Sequence, residues 1–387
     1  MTSPRENSVA FTQPRQRIKT VLRGLIFSSL TIFFGLLSPL ARPAATEEPL
    51  LNIYNWADYI GADTIADFEA EYGIEVNYDV YETSEMVDAK LMAGNSGYDL
   101  VLHSAAFSSR LIAVGIYQEL DKTRLPNWKH LDPALLERFG KFDPGVRFGM
   151  PYMWGTTGFT YNVDMIRERM PNAPVESGDL LFKAEVVSKF ADCGVSLLDS
   201  PISVIPVVLA YLGYEADSVD PKQLKEVELL LKSIRPYIKY FSGTKLLVDL
   251  PSREVCIAQS WSGDYSIASR RAREAGLEIN LAYTMPIEGS IIWFDGLYIP
   301  ADARHPDNAH LFLDFLLRPE VIAPISDFIG YANPNRDATA LMDPAITSDL
   351  GIYPDAEILR RLQPTMVYEP KIERLRSRVW SRVKTGL

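Results

Sequence analysis

The chain has 387 residues, 47% of them hydrophobic, enough to bury a sizeable core and of a length that suggests about two domains. Its formal net charge is −11, and because residues 1–45 hold six basic residues against one acid, Glu6, the remainder stands at −16. Such a field argues against nucleic acid or an anionic ligand as the main partner and draws cations instead.

Arg5, Arg15, Arg17, Lys19 and Arg23 precede an apolar stretch, Gly24 to Ala41, and the small residues Ala44 and Ala45. That order reads as a secretory signal over residues 1–45, with a retained anchor as the alternative; Ser28, Ser29, Ser38 and Pro39 weigh towards cleavage. Either way the folded part is exported. Two cysteines, Cys193 and Cys256, in an exported chain point to one long-loop disulfide, with two buried thiols as the alternative. His103, His130, His305 and His310 lack the spacing that would make a metal site with them.

From Leu50 the pattern alternates. LLNIYNW reads as a strand, DTIADFEAEYG as a helix with Asp63 at its N-cap and Gly73 at its stop, and IEVNYDVY as a strand. The helix SEMVDAKLMAG and the strand YDLVLHS follow, a β-α-β-α-β order that implies parallel strands with crossover helices. The Pro- and Gly-rich passage Asp143 to Gly158 breaks this alternation and places the entry into a second lobe near TYNVDMI. Beyond it come a strand at GVSLLDS, helices around VIPVVLAYLG and KQLKEVELLLKSI, a strand at EVCIAQS and a helix at YSIASRRAREAG. INLAYTMP and SIIWFDGLYIP read as strands, HLFLDFLL as a helix, and KIERLRSRVWSRVKTG as an amphipathic helix with a solvated basic face.

In open α/β sheets ligands bind beyond the carboxyl ends of the strands, so the corners there carry most weight. Three are acidic and aromatic together: Trp56-Ala57-Asp58-Tyr59, Trp261-Ser262-Gly263-Asp264, and Trp293-Phe294-Asp295; the third strand ends at Ser104. An indole face attracts a cation and stacks on methylenes, and a carboxylate makes charge-assisted hydrogen bonds to ammonium, so the combination suits an alkylammonium ligand. Taken singly, each Trp better suits a domain edge and each Asp a helix or turn cap; the joint occurrence of three raises the ligand reading. H-E-x-x-H, P-loop, G-x-G-x-x-G and G-x-S-x-G signatures are absent. Paired acids still leave a secreted sugar hydrolase as an alternative class.

The segments YNWADYI, YDVYETSEMVDAKLMAG, YQELDKTRLPNWK, MPYMWGTTG, CGVSLLDSP, SWSGD, WFDGLYIPADA and GIYP resemble the periplasmic substrate-binding proteins of spermidine/putrescine ABC transporters, the putrescine-binding branch in particular. The likeness runs from Leu51 to Gly386. It implies an α/β, two-lobed, type II periplasmic-binding-protein-like fold with a double-crossover hinge and no catalysis or cofactor. Lobe 1 would comprise residues 46–153 and 276–326, and lobe 2 residues 156–272 and 329–387. The implied role is capture of a small polyamine, putrescine first, for ABC transporter permease subunits in the periplasm; a monomer is the expected state. A membrane-associated polyamine sensor is the alternative if the apolar stretch is retained.

Carried over residue by residue, the family's site falls on Trp56, Asp58, Tyr59, Ser104, Trp261, Asp264, Trp293, Asp295 and Tyr331. Asp58, Asp264 and Asp295 would meet ammonium groups, Trp261 and Trp293 would sandwich methylenes, Trp56 and Tyr331 would shape the ends, and Ser104 would accept a hydrogen bond. The family's disulfide falls on Cys193 and Cys256. Two positions depart from the pattern: Ala57 stands where serine is usual, and Ser203 where the putrescine binders carry an acid. The pocket thereby loses one hydroxyl and one charge.

Overall fold

A computed structural model describes residues 47–364, 366 and 368–386, so the expected signal or anchor over residues 1–45 lies outside the described part. Ten strands occur among the described residues: β1 (Leu50–Trp56), β2 (Glu75–Tyr81), β3 (Leu100–Ser104), β4 (Gly149–Asn162), β5 (Val195–Leu197), β6 (Tyr240–Phe241), β7 (Ile257–Trp261), β8 (Leu281–Thr284), β9 (Ser290–Tyr298) and β10 (Leu362–Pro364).

The opening β-α-β-α-β reading holds: β1 lies parallel to both β2 and β3, with the helices Thr64–Tyr72 and Ser84–Met92 as connections. Gly73 stops the first helix in the left-handed conformation at φ 66°, which costs glycine nothing. Asp63 is its N-cap residue, yet the side chain makes no capping hydrogen bond. Thr83 does cap the second helix, accepting from the Met86 N–H.

The Pro- and Gly-rich passage contains more order than its composition suggests. Residues 149–162 form one strand of 14 residues, almost wholly buried, whose register shifts between Pro151 and Met153. A bulge is where a strand tolerates a residue without an N–H, so the proline is accommodated rather than disruptive. This strand ties the two halves of the molecule together. Residues 149–156 pair with β9 on the first-half side, and residues 157–162 pair with β7 and β8 on the other. The sheet path is β2-β1-β3-β9-β4-β7-β5-β6, with β5 parallel to β6 and β7 and antiparallel joints at β3/β9, β9/β4 and β4/β7.

Apolar side chains pack on both halves of this α/β sheet, which β4 divides into two lobes. In the first, Phe68 packs edge-on against Phe312 and Phe315 beneath Leu51, Ile53, Leu100 and Leu102. In the second, Val204, Val207, Val208, Val227, Leu231, Ile257, Trp380 and Val383 close round β5 and β7. Cys193 and Cys256, 63 residues apart, form a buried disulfide there, worth about 2–4 kcal/mol for a loop of this size. The C-terminal helix Pro370–Thr385 turns Arg376, Val379, Trp380 and Val383 inward and leaves Lys371, Arg374 and Arg378 exposed. No described helix is long and apolar enough to cross a membrane.

Candidate functional site

Register alone gathers most of the singled-out residues. Along β4, Met153, Gly155 and Thr157 share one face, because side chains alternate. Asp295 lies opposite Met153, Trp293 opposite Gly155, and Trp261 opposite Thr157. Residues directly opposite in an antiparallel pair point the same way, so both indoles and Asp295 emerge on one face, with Ser104 opposite Asp295 across β3/β9.

Asp264 joins them from the first turn of the helix Ser262–Glu274, which begins where β7 ends. One of its oxygens accepts the Trp261 backbone N–H at 2.9 Å, so it caps the helix; the other accepts the Tyr331 hydroxyl at 3.0 Å. Asp295 accepts the Tyr59 hydroxyl at 3.0 Å. The two tyrosines meet edge-on with ring centroids 5.5 Å apart, and Tyr331 touches Trp293 edge-on at 5.4 Å. A chain of contacts therefore runs Asp295, Tyr59, Tyr331, Asp264, with an indole on its flank.

Both carboxylates are deeply buried, at 4% exposure for Asp264 and 8% for Asp295, and neither has an ion-pair partner among the described residues. Burial disfavours the charged form and pushes both up to about 7, against weaker opposition from the hydrogen bonds they accept. Burial likewise lifts the Tyr59 and Tyr331 hydroxyls well above their ordinary range, so they stay protonated and donate. A cation placed beside them would favour the ionised form and oppose this shift. Among the described residues no group of three or more His, Cys, Asp or Glu side chains is placed to hold a metal ion.

The other expected residues sit further out. Trp56 ends β1 with its ring 4.4 Å from Tyr81 and its indole N–H buried without a partner. Ala57 and Asp58 occupy an exposed turn, with Asp58 at φ 55° and its side chain 69% exposed. Asp58 pairs with Arg271 at 3.3 Å, a cation two turns beyond Asp264 on the same helix. Ser203 is buried in the first turn of the helix Pro201–Tyr211; its hydroxyl accepts the Trp261 indole N–H at 3.4 Å and lies 3.0 Å from the Ser200 hydroxyl.

Sequence reasoning overlooked several supports. The Tyr152 hydroxyl donates to the Tyr59 carbonyl at 3.1 Å, and the Tyr283 hydroxyl meets Thr156 Oγ1 at 2.9 Å while raising no charge of its own. Tyr152 stands in the aromatic MPYMWGTTG passage, which was itself a signal; Arg271 and Tyr283 stand in ordinary helix and strand text that carried none.

A two-lobed α/β fold with carboxylates and aromatic rings gathered on one face where its lobes join is the arrangement of a solute-binding receptor. The chain belongs to the bacterial extracellular solute-binding protein family, which matches residues 63–352. It is 46% identical over 345 residues to the putrescine-binding periplasmic protein PotF of Escherichia coli, covering 88% of this chain and 93% of that one. It is 39% identical over 359 residues to a putrescine/agmatine-binding protein of Pseudomonas aeruginosa, covering 92% and 98%. The spermidine/putrescine ABC transporter substrate-binding protein PotD of Streptococcus pneumoniae superposes with a TM-score of 0.74 at 29% identity, covering 87% of this chain and 98% of that one.

Proposed function

We propose that this protein is an extracytoplasmic polyamine receptor, with putrescine its first ligand, that delivers its cargo in the periplasm to the permease subunits of an ABC importer and works as a monomer without catalysis. The observation that carries this reading is the pair of buried carboxylates, Asp264 and Asp295, bracketed by tyrosine hydroxyls and indoles and left without a cation. Ammonium groups supply the missing charge, and Trp261 and Trp293 cover the methylenes between them. Ser104 accepts a hydrogen bond at one side, and Trp56 closes an end.

Lobe 1 comprises residues 46–153 and 276–326 and lobe 2 residues 156–272 and 329–387; Leu281–Thr284, within the lobe 1 stretch, crosses over to pair with Phe159–Asn162 of lobe 2. On that division Asp58–Arg271 joins the lobes at the rim, so Asp58 acts by latching the closed form as well as by attracting ligand. Neutral Ala57 and Ser203 leave the polyamine class intact while relaxing the choice within it.

A melting screen against polyamines, amino acids and sugars tests the proposal. Stabilisation should grow with putrescine in excess of its dissociation constant, by about 2.7 kcal/mol at a hundredfold excess. A shift produced by another compound class, with none from any polyamine, overturns it.

A further inference from the structure

Trp293 and Tyr331 are in contact, and each lies on a glycine. Gly155 stands directly opposite Trp293 in the β4/β9 pairing, and a Cβ built there would come within 2.5 Å of Trp293 Cζ2, 2.9 Å of Cη2 and 2.6 Å of Ser262 Oγ. A Cβ on Gly263 would come within 2.5 Å of Tyr331 Cδ2 and Cζ. Ordinary carbon contacts begin near ~3.5 Å, so any side chain at either position must lift the ring above it by about 1 Å. Neither glycine has a positive φ, so backbone conformation does not demand it; the rings do.

Neither ring has an easy retreat. Tyr331 is tied by its hydroxyl to Asp264 and flanked by Tyr59 at 5.5 Å, and Trp293 is flanked by Tyr331 at 5.4 Å. A ring lifted from β4 or from the helix Ser262–Glu274 therefore moves on the face that carries Trp261 and Asp295. That is the space assigned above to the ligand's methylenes.

From this geometry we infer that Gly155 and Gly263 are specificity-determining positioning residues: by lacking a side chain they set how far Trp293 and Tyr331 recede, and so how long an alkyl diamine the site accepts. The inference rests on the polyamine reading. The chemistry selected is the number of methylenes between two ammonium groups, and one methylene too many in a closed apolar slot is worth about 10–200-fold in discrimination.

The test is isothermal titration of the full exported chain with linear diamines of increasing length, from 1,3-diaminopropane to 1,6-diaminohexane, and with spermidine. Gly155→Ala should keep the shortest ligand bound by the wild type and lose the longest, moving the ratio of their affinities at least about tenfold. Adding Trp293→Phe to Gly155→Ala should restore the ratio, because the smaller ring leaves room for the methyl group. Gly178→Ala is the control: its Cβ would strike Tyr211, an equally crowded ring outside the site, so it should lower stability and leave the ratio unchanged. If Gly155→Ala does not fold, Trp293→Phe alone must move the ratio towards the longer ligand. An unmoved ratio in Gly155→Ala, or an equal movement in Gly178→Ala, overturns the inference while leaving polyamine binding standing. A wild type that binds no diamine at all overturns the proposed function first, and this inference with it.

Discussion

Two parts of the molecule shield carboxylates from solvent and treat them in opposite ways. Glu228, on the helix Pro221–Ile234, is 1% exposed and meets Arg382 at 2.7 Å, Lys232 at 2.9 Å and Lys225 at 3.3 Å. Its hydrogen bond to the Arg382 guanidinium, helped by the two lysines, holds it down at about 2. Asp264 and Asp295 have only hydroxyl and backbone donors, and burial pushes them up to about 7. The first arrangement is complete and fastens the C-terminal helix to the second lobe. On the function proposed above, the second is completed by an arriving ammonium group.

The sharpest way to break this comparison is to neutralise each kind of carboxylate in turn. Asp264→Asn and Asp295→Asn should each cost at least about 100-fold in putrescine affinity, roughly 3 kcal/mol for a buried charge pair that loses one member, while leaving the empty protein no less stable. Titration calorimetry paired with thermal melting checks both halves, and unchanged affinity in the two variants would remove the core of the site. Glu228→Gln should do the reverse: a loss of about 2 kcal/mol in denaturant unfolding, because three cations lose their shared partner, with ligand affinity unmoved.

Acid separates the two regions further. The depressed Glu228 contributes stability that is present above the ordinary glutamate range and is lost as pH falls towards 2. Asp264 and Asp295 act in the opposite sense in the empty protein: their contribution is present below the ordinary aspartate range and is lost as pH rises through about 7. A bound diamine needs them ionised, so affinity should fall below pH 7 by up to about tenfold per unit for each carboxylate that takes a proton. Melting curves with and without putrescine from pH 5 to 8 should show the ligand-induced shift growing with pH; a shift constant across that range would refute the assignment. The smallest effect belongs to the rim. Asp58→Ala, in an exposed pair with Arg271, should weaken binding by no more than about 1 kcal/mol, and Arg271→Ala by a similar amount, in contrast to Asp264.

Much of this was readable from residues in order. The parallel β1, β2 and β3, the helices between them and the acidic corners after β1 and β7 each express a local pattern of period, cap and turn, whereas Trp293-Phe294-Asp295 stands inside β9 rather than at a corner. What escaped notice was set by partners far away in the chain. Asp58 and Asp264 look alike as Trp-adjacent acids, yet one is exposed against Arg271 and the other is walled in by Tyr331. Asp143–Gly158 reads as a break because two prolines and four glycines punctuate it; the pairing of Gly149–Asn162 with β9, β7 and β8 makes that stretch the longest strand described.

By itself, then, the sequence determined the α/β class and marked the indoles and carboxylates as residues to watch, because alternation, capping and residue chemistry are properties of short stretches; Tyr331 was marked only by the family resemblance. Tertiary structure decided which acids are buried without a cation and which rings rest on glycines. Tyr59 reaches Asp295 across 236 positions of chain, and a carboxylate's charge depends on what surrounds it there, which no local pattern encodes.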